Sequence, residues 1–334
     1  MLNMSGAYSV FHQLAYDLRS PPEKSIIKQA CMWSNSPAVQ PKPPSEAQTQ
    51  FNQLLTTLNI PLSLSQDQKL SLLRSTPATT LLAAAPHLPI HQYRPTTDNG
   101  GFVSPTLFES LDSGEFARKL TQRGVRILLG ECRDEPKLYS LWMPPGENTL
   151  SALRERLCAD YPRAAVDVLM PLYYPDGRLP VGCVDWDADA FGRIYADMQV
   201  YKMQRGFIHA LVSGGLPDHL LLRYRVEWRL KCVDKVIPPE WGVTHATDHF
   251  LWFWGNGEVV EPEEKGIISH ALIDPLARFV NGEDVAWGTQ NHRQMRTLKP
   301  DGTVQIWEDA FWDDAVRVWK ALREASHDGS AARL

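Results

Sequence analysis

Two short stretches hold residues whose types and spacing could do chemistry: GECRDEP at 130–136 and WGVTHATDHFLWFWGNG at 241–257. In the first, Asp134 and Glu135 are adjacent and directly follow an apolar run. Such a pair can orient a histidine, bind a metal, or cap the next turn. The local residues alone favour the cap, since acidic side chains are common in turns. In the second stretch His245 and His249 are four apart, so a helix would put both on one face. That is the spacing of an H-E-x-x-H zinc pair, but the glutamate is missing, and Ala246, Thr247 and Asp248 intervene. A zinc site needs at least three protein ligands. No further His or Cys cluster is evident, so no metal is expected. The other reading is one working histidine at the end of a loop after a strand, with its neighbour packed nearby. Phe250, Leu251, Trp252, Phe253 and Trp254 read as core rather than as a substrate box, because such rings bury large areas.

These residues depend on the elements that position them. Val10, Phe11, Leu14, Ala15 and Leu18 fall at helical spacing and predict an amphipathic helix over 6–19. SIIKQACMWS (25–34) reads as a buried strand. Pro37, Pro41, Pro43 and Pro44 make the next stretch a connection. Ser45 with Gln48 then predicts a capping box that opens a helix with Phe51, Leu54, Leu55 and Leu58 inward. Short helices follow at 65–75 and 77–85, then a loop ending in TTDNGG (96–101). A helix closing on Gly124 leads into the second strand, VRILLGE (125–131). Two helices are expected between 149 and 174, and a long one over 185–213. The third strand is LLLRYRVEWRL (220–230), alternating in its second part, and 261–281 and 305–326 read as helices. Strands separated by helices imply an α/β layer architecture. Three strong strands are few for this much helix, and their two open edges suggest part of a larger sheet.

Composition narrows the function. A chain of 334 residues, 43% hydrophobic, can bury a core as one large or two small domains. Lys and Arg number 34 against 39 Asp and Glu, a net charge of -5 with no basic block, which argues against nucleic acid and acidic membranes as partners. Cys31, Cys132, Cys158, Cys183 and Cys232 are scattered and odd in number, so free buried thiols in a reducing compartment are expected. There is no charged segment leading into a long apolar one at the N-terminus, hence no signal peptide is expected and a cytoplasmic location is. No apolar run approaches the ~20 residues of a membrane span.

Taken together, the acid lies after the second strand and the histidine after the third. That is the chain order of acid and base in α/β-hydrolases, where a serine precedes both. The sequence closely resembles the C-terminal half of the type-B carboxylesterases (the carboxylesterase and cholinesterase group), most closely the fungal branch. SGAYSVFHQL looks like the segment running from the serine elbow into its helix, and IIKQACMWSNSP like the strand and turn that follow. GECRDEP matches the family's G-x-x-x-D-E-G loop, with Pro136 in place of the usual glycine, and GVTHATDHFLWFWGNG resembles the G-x-x-H-x-x-(D/E) stretch.

The resemblance covers nearly all of the chain. It implies a partial α/β-hydrolase fold with a mostly parallel sheet and the N-terminal half missing: one domain over 1–330, truncated before the nucleophile elbow. It makes Glu135 the triad acid and His245, not His249, the base. The elbow does not match. Aligning Gly6 with the last glycine of G-x-S-x-G puts Met4 at the nucleophile, Ser5 after it and Leu2 at the first glycine. Ser5 is a poor substitute, because a shift of ~1 Å in a reacting group costs much of the rate. The family's H-G-G-G-type oxyanion loop has no counterpart, and losing even one such donor costs ~3 kcal/mol.

The expected function is therefore that of a carboxylesterase-like hydrolase segment, inactive alone, needing no cofactor, whose intact relatives take a small ester with an apolar part. A non-catalytic binding or interaction protein on the same fold is the alternative from another class. Self-association through an exposed sheet edge is also expected. In the fold, the Glu135 carboxylate should reach His245 Nδ1, and Nε2 should face the start of the 6–19 helix. His249 should be packed or solvated without a carboxylate partner.

Overall fold

A computed structural model describes residues 5–37, 41–89, 93–98 and 101–327. Five strands form one sheet in the order β1 (Gln29–Trp33), β2 (Arg126–Cys132), β3 (Leu221–Val226), β4 (Gln294–Leu298) and β5 (Val304–Glu308). The first three pairings are parallel, and β4 and β5 form an antiparallel hairpin. Parallel neighbours need long crossovers, and helices supply them here. The helix α1 (Ser5–Arg19) comes first, then α2 (Pro44–Thr57), α3 (Gln66–Ser75) and α4 (Ala78–Ala84). Between 107 and 213 lie α5 (Leu107–Asp112), α6 (Glu115–Arg123), α7 (Pro136–Tyr139), α8 (Leu150–Cys158), α9 (Arg163–Tyr173), α10 (Phe191–Ala196) and α11 (Lys202–Ser213). After β3 come α12 (Asp248–Trp252), α13 (Pro262–Ile268), α14 (Asp274–Val280) and, last, α15 (Trp312–His327).

The period of two along each strand divides the core between the sheet's faces. Ile127 and Leu129 of β2 join Ala30 and Met32 of β1 under α1, α6, α11 and α15. Leu128 of β2 joins Leu222, Tyr224 and Val226 of β3 under α12, α13 and α14. On the first face the odd-numbered positions turn polar toward the strand ends: Glu131, Arg223 and Arg225 are buried there. Arg205 of α11 bonds the Glu131 carboxylate at 2.7 Å and reaches Asp309 at 2.8 Å. Arg223 also meets Asp309, at 2.7 Å, and Arg225 pairs with Glu131. Each buried charge thus has an opposite partner, the condition under which burial of charge is tolerated.

Much of the expected order is present, with corrections. The α1 helix buries Phe11, Leu14 and Leu18 as its spacing requires. The first strand is shorter than 25–34, because Pro22–Lys24 form a 3-10 turn and the ladder starts at Gln29. Ser45 and Gln48 make no capping box: α2 starts on Pro44, with Pro43 as its N-cap, and of its inward candidates only Leu55 is buried. The box forms at Ser65 and Gln68 instead, opening α3. The stretch 305–326 is not one helix, since it begins with β5 and becomes helical only at Trp312. With β4 and β5 the sheet has five strands rather than three. The long helical stretch over 185–213 is continuous, with α10 set between the π turns Trp186–Ala190 and Asp197–Tyr201. Within TTDNGG, residues 99 and 100 lie outside the described residues. All five cysteines are free. Among the described residues no helix is long and apolar enough to cross a membrane.

Candidate active site

Two loops that leave the same end of neighbouring parallel strands build the site, the carboxyl edge where open α/β sheets gather functional groups. The first follows β2, whose Gly130 is required by packing: a Cβ there would come within 2.3 Å of the Tyr224 carbonyl oxygen and ring. Beyond β2 the chain turns so that the Cys132 N–H donates to Glu135 Oε1 at 3.0 Å. The Glu135 N–H donates to the Tyr201 hydroxyl at 3.0 Å, and that hydroxyl donates back to the Arg133 carbonyl at 2.6 Å. Asp134 faces the second loop, where its N–H donates to the Val243 carbonyl and its Oδ2 accepts from the Val243 N–H. Neither acid is a helix cap. Glu135 stands at the N-cap position of α7, but its side chain makes no capping bond.

The second loop follows β3 and carries His245. The Thr247 hydroxyl donates to the Thr244 carbonyl at 2.7 Å and closes a tight turn, with Ala246 in the left-handed region at φ 71°. Thr244 also accepts the Leu138 N–H of α7 at 3.0 Å, which ties this turn to the acid's own helix. Farther along, the Tyr224 hydroxyl donates to Asp248 Oδ2 at 2.7 Å. The result is a contact of 2.5 Å between His245 Nδ1 and Glu135 Oε2, with His245 2% exposed and Glu135 fully buried. A carboxylate accepts, so Nδ1 carries the proton in this pairing. Burial pushes the Glu135 carboxyl up, and the hydrogen bonds from His245 and the Cys132 N–H only partly pull it back. His245 Nε2 is buried and has no hydrogen-bond partner among the described residues. It is the atom left free to take a proton.

His249 is elsewhere. His245 precedes α12 and His249 is inside it, so the two do not share a helix face. The His249 ring packs edge-on against Trp33 and Phe253, and burial lowers its pKa. No group of three or more metal-ligating side chains exists among the described residues. The aromatic run divides: Phe250, Leu251 and Trp252 are core, but Phe253 and Trp254 are 38% and 43% exposed. Met4 lies outside the described residues, as does the side chain of Ser5.

Other groups at the site escape inspection of the sequence. Tyr139, Tyr201 and Thr244 hold the two loops, but nothing in their neighbours distinguishes them from ordinary core residues. Asn35, just past β1, donates to Gln199 at 3.2 Å, and Gln199 donates to Tyr161.

Comparison with known proteins finds sequence relatives and solved structures of similar fold. The chain is 40% identical over 334 residues to a carboxylic ester hydrolase of Gibberella moniliformis, covering 98% of this chain and 60% of that one. It is 34% identical over 320 residues to an uncharacterized esterase/lipase of Schizosaccharomyces pombe, covering 95% of this chain and 59% of that one. The chain thus spans about three fifths of the length of these relatives. No family model matches it. Among solved structures, the carboxylesterase EST55 of Geobacillus stearothermophilus superposes with a TM-score of 0.60 at 19% identity, over 94% of this chain and 62% of that one. A PNB esterase gives a TM-score of 0.61 at 18% identity, over 94% and 61%. The fold is a mostly parallel α/β arrangement shared with these solved esterases, and in sequence the chain is similar to the two relatives over nearly all of its own length.

Proposed function

We propose that this chain carries the acid and the base of a serine carboxylesterase of the type-B group, fungal branch, with Glu135 as acid and His245 as base. The observation that carries this reading is the buried 2.5 Å contact from His245 Nδ1 to Glu135, with Nε2 unpartnered among the described residues. In such a pair the carboxylate holds the imidazole in the Nδ1–H tautomer, leaving Nε2 to accept a proton from an attacking hydroxyl. As the imidazolium forms, the same carboxylate stabilises it without taking the proton. The proton then passes from Nε2 to the leaving alcohol. The substrate is a carboxylic ester with an apolar acyl or alcohol part.

The position that resembles the nucleophile holds Met4, whose thioether has no proton to give and cannot form an acyl-enzyme. The chain by itself is accordingly expected to be silent toward p-nitrophenyl esters and unlabelled by a fluorophosphonate. Turnover above that of free imidazole, abolished by Ser5→Ala and blocked by the phosphonate, would overturn that silence. Turnover abolished by His245→Ala but insensitive to Ser5→Ala would keep the base and reassign the nucleophile. Met4 also favours a second reading, a binding protein on the esterase fold. Saturable binding of an uncleaved ester, unaffected by His245→Ala, would select it.

A further inference from the structure

We infer that Tyr139 is a positioning residue for His245: its phenol oxygen is a second acceptor for the Nδ1 proton, and its ring holds the imidazole plane against Glu135. The inference rests on the Glu135–His245 pair and adds a third group that motif and resemblance do not assign.

Tyr139 is four residues after Glu135, one helical turn, so the short α7 helix presents both toward the same point. The Tyr139 hydroxyl lies 3.4 Å from His245 Nδ1, beside the 2.5 Å contact to Glu135. The phenol and imidazole rings are 5.0 Å apart between centroids and inclined at 50°. An imidazole bonded at one nitrogen can still rotate about that bond. A second acceptor off the axis, with a ring against its face, removes that freedom.

Tyr139 is itself held. It is fully buried, and the Tyr195 ring backs it at 5.4 Å. Behind it α7 lies directly on α10 at Gly192, where a Cβ would come within 2.7 Å of the Pro136 carbonyl oxygen and 2.9 Å of Ser140 Cβ. No side chain fits between these helices. On the other side the Leu138 N–H is anchored on Thr244, the residue before His245. Burial and the nearby Glu135 charge keep the phenol protonated, so its oxygen meets the Nδ1 proton as a neutral acceptor.

The test is the Nδ1 proton resonance of His245 in the full chain, made with 15N-labelled histidine and compared with Tyr139→Phe and Tyr139→Leu. In the unsubstituted chain a low-field Nδ1 proton, bonded to a carboxylate, is expected. Tyr139→Phe keeps the ring and removes the oxygen. Its resonance should stay sharp and move farther downfield, because Glu135 becomes the sole acceptor. Tyr139→Leu removes both, and the resonance should broaden and exchange faster with solvent. An unmoved resonance in Tyr139→Phe overturns the role of the hydroxyl whatever the leucine variant does. A resonance as sharp in Tyr139→Leu as in the parent overturns the role of the ring. Absence of any low-field proton in the parent chain removes the Glu135–His245 pair, and with it both this inference and the proposed triad.

Discussion

Asp134 and Val243 exchange two hydrogen bonds, one from each backbone N–H, at 2.9 Å to the Val243 carbonyl and 2.8 Å to the Asp134 carboxylate. This reciprocal pair fastens the loop after β2 to the loop after β3, and Glu135 and His245 are one and two residues beyond it. The distance between acid and base is therefore set by a backbone staple next to them.

The staple depends on Gly242. Its φ of 63° and ψ of -140° suit glycine, and a Cβ there would come within 2.2 Å of Asp134 Oδ2. Gly242→Ala should cost about 3 kcal/mol, the upper end for a residue forced into sparsely populated backbone space. Gly124→Ala is the control, because Gly124 also has positive φ, 62°, but nothing lies near its missing Cβ. It should cost about 1 kcal/mol, the left-handed penalty alone. Urea unfolding of both variants checks the difference, and equal losses would refute the role of the contact.

Tyr201→Phe removes one hydroxyl that serves the Glu135 N–H and the Arg133 carbonyl together. A buried group left unpaired costs about 1–3 kcal/mol. Stability should fall by that order, and the Glu135 amide should exchange faster while the amides of β2 stay protected. Hydrogen exchange resolved by residue reads this directly.

Arg205 sits between Glu131 and Asp309 with 1% of its side chain exposed. Arg205→Met leaves two buried carboxylates short of a partner and should destabilise the fold by about 3–5 kcal/mol. The exposed pair Lys231–Glu263 is the contrast. Lys231→Ala should leave the melting transition where it was, since solvent screens such pairs. Thermal melts of the two variants distinguish a buried network from a decorative one.

His12 gives a dependence on pH. It is buried in α1 beside the Phe11 ring, and burial lowers its pKa from 6.5 to about 4. The unfolded chain therefore binds a proton that the folded chain refuses. This stability is fully present above pH 6.5 and is lost as pH falls toward 4. The loss approaches about 3 kcal/mol for a depression of this size. His12→Leu should flatten the fall in urea midpoint between pH 7 and pH 4.5. A slope as steep as the parent's would show that other groups carry it.

How much of this was legible depended on which physical signal the residues carry. Strand patterning placed the acidic pair and the histidines after conspicuous apolar strands, the resemblance singled out Glu135 and His245 among them, and the parallel pairing of β2 with β3 puts both loops at one sheet edge. The hairpin of β4 and β5 was missed although Pro300, Asp301 and Gly302 spell a turn between them. Its strands carry Arg296, Gln305 and Glu308, and polar content hid their period. The arginines of β3 carry a signal that sequence alone does not resolve: Arg223 and Arg225 alternate along the strand, and both are buried against carboxylates supplied from distant parts of the chain. Tyr139 and Tyr201 left no local sign, because their roles are contacts across the fold.

The histidine loop is moored on both sides of His245, at Val243 to the loop after β2 and at Asp248 to Tyr224 of β3. A segment moored at both ends cannot swing as a door. His245 inherits the stiffness of the sheet, and its excursions should follow those of the strands. On the helical side of the site α10 is set between two π turns, the second of which carries Tyr201. Those widened turns hold one residue more per hydrogen-bonded ring than an ordinary helix. They are the slack beside a stiff sheet edge, and motion on the microsecond scale should concentrate there.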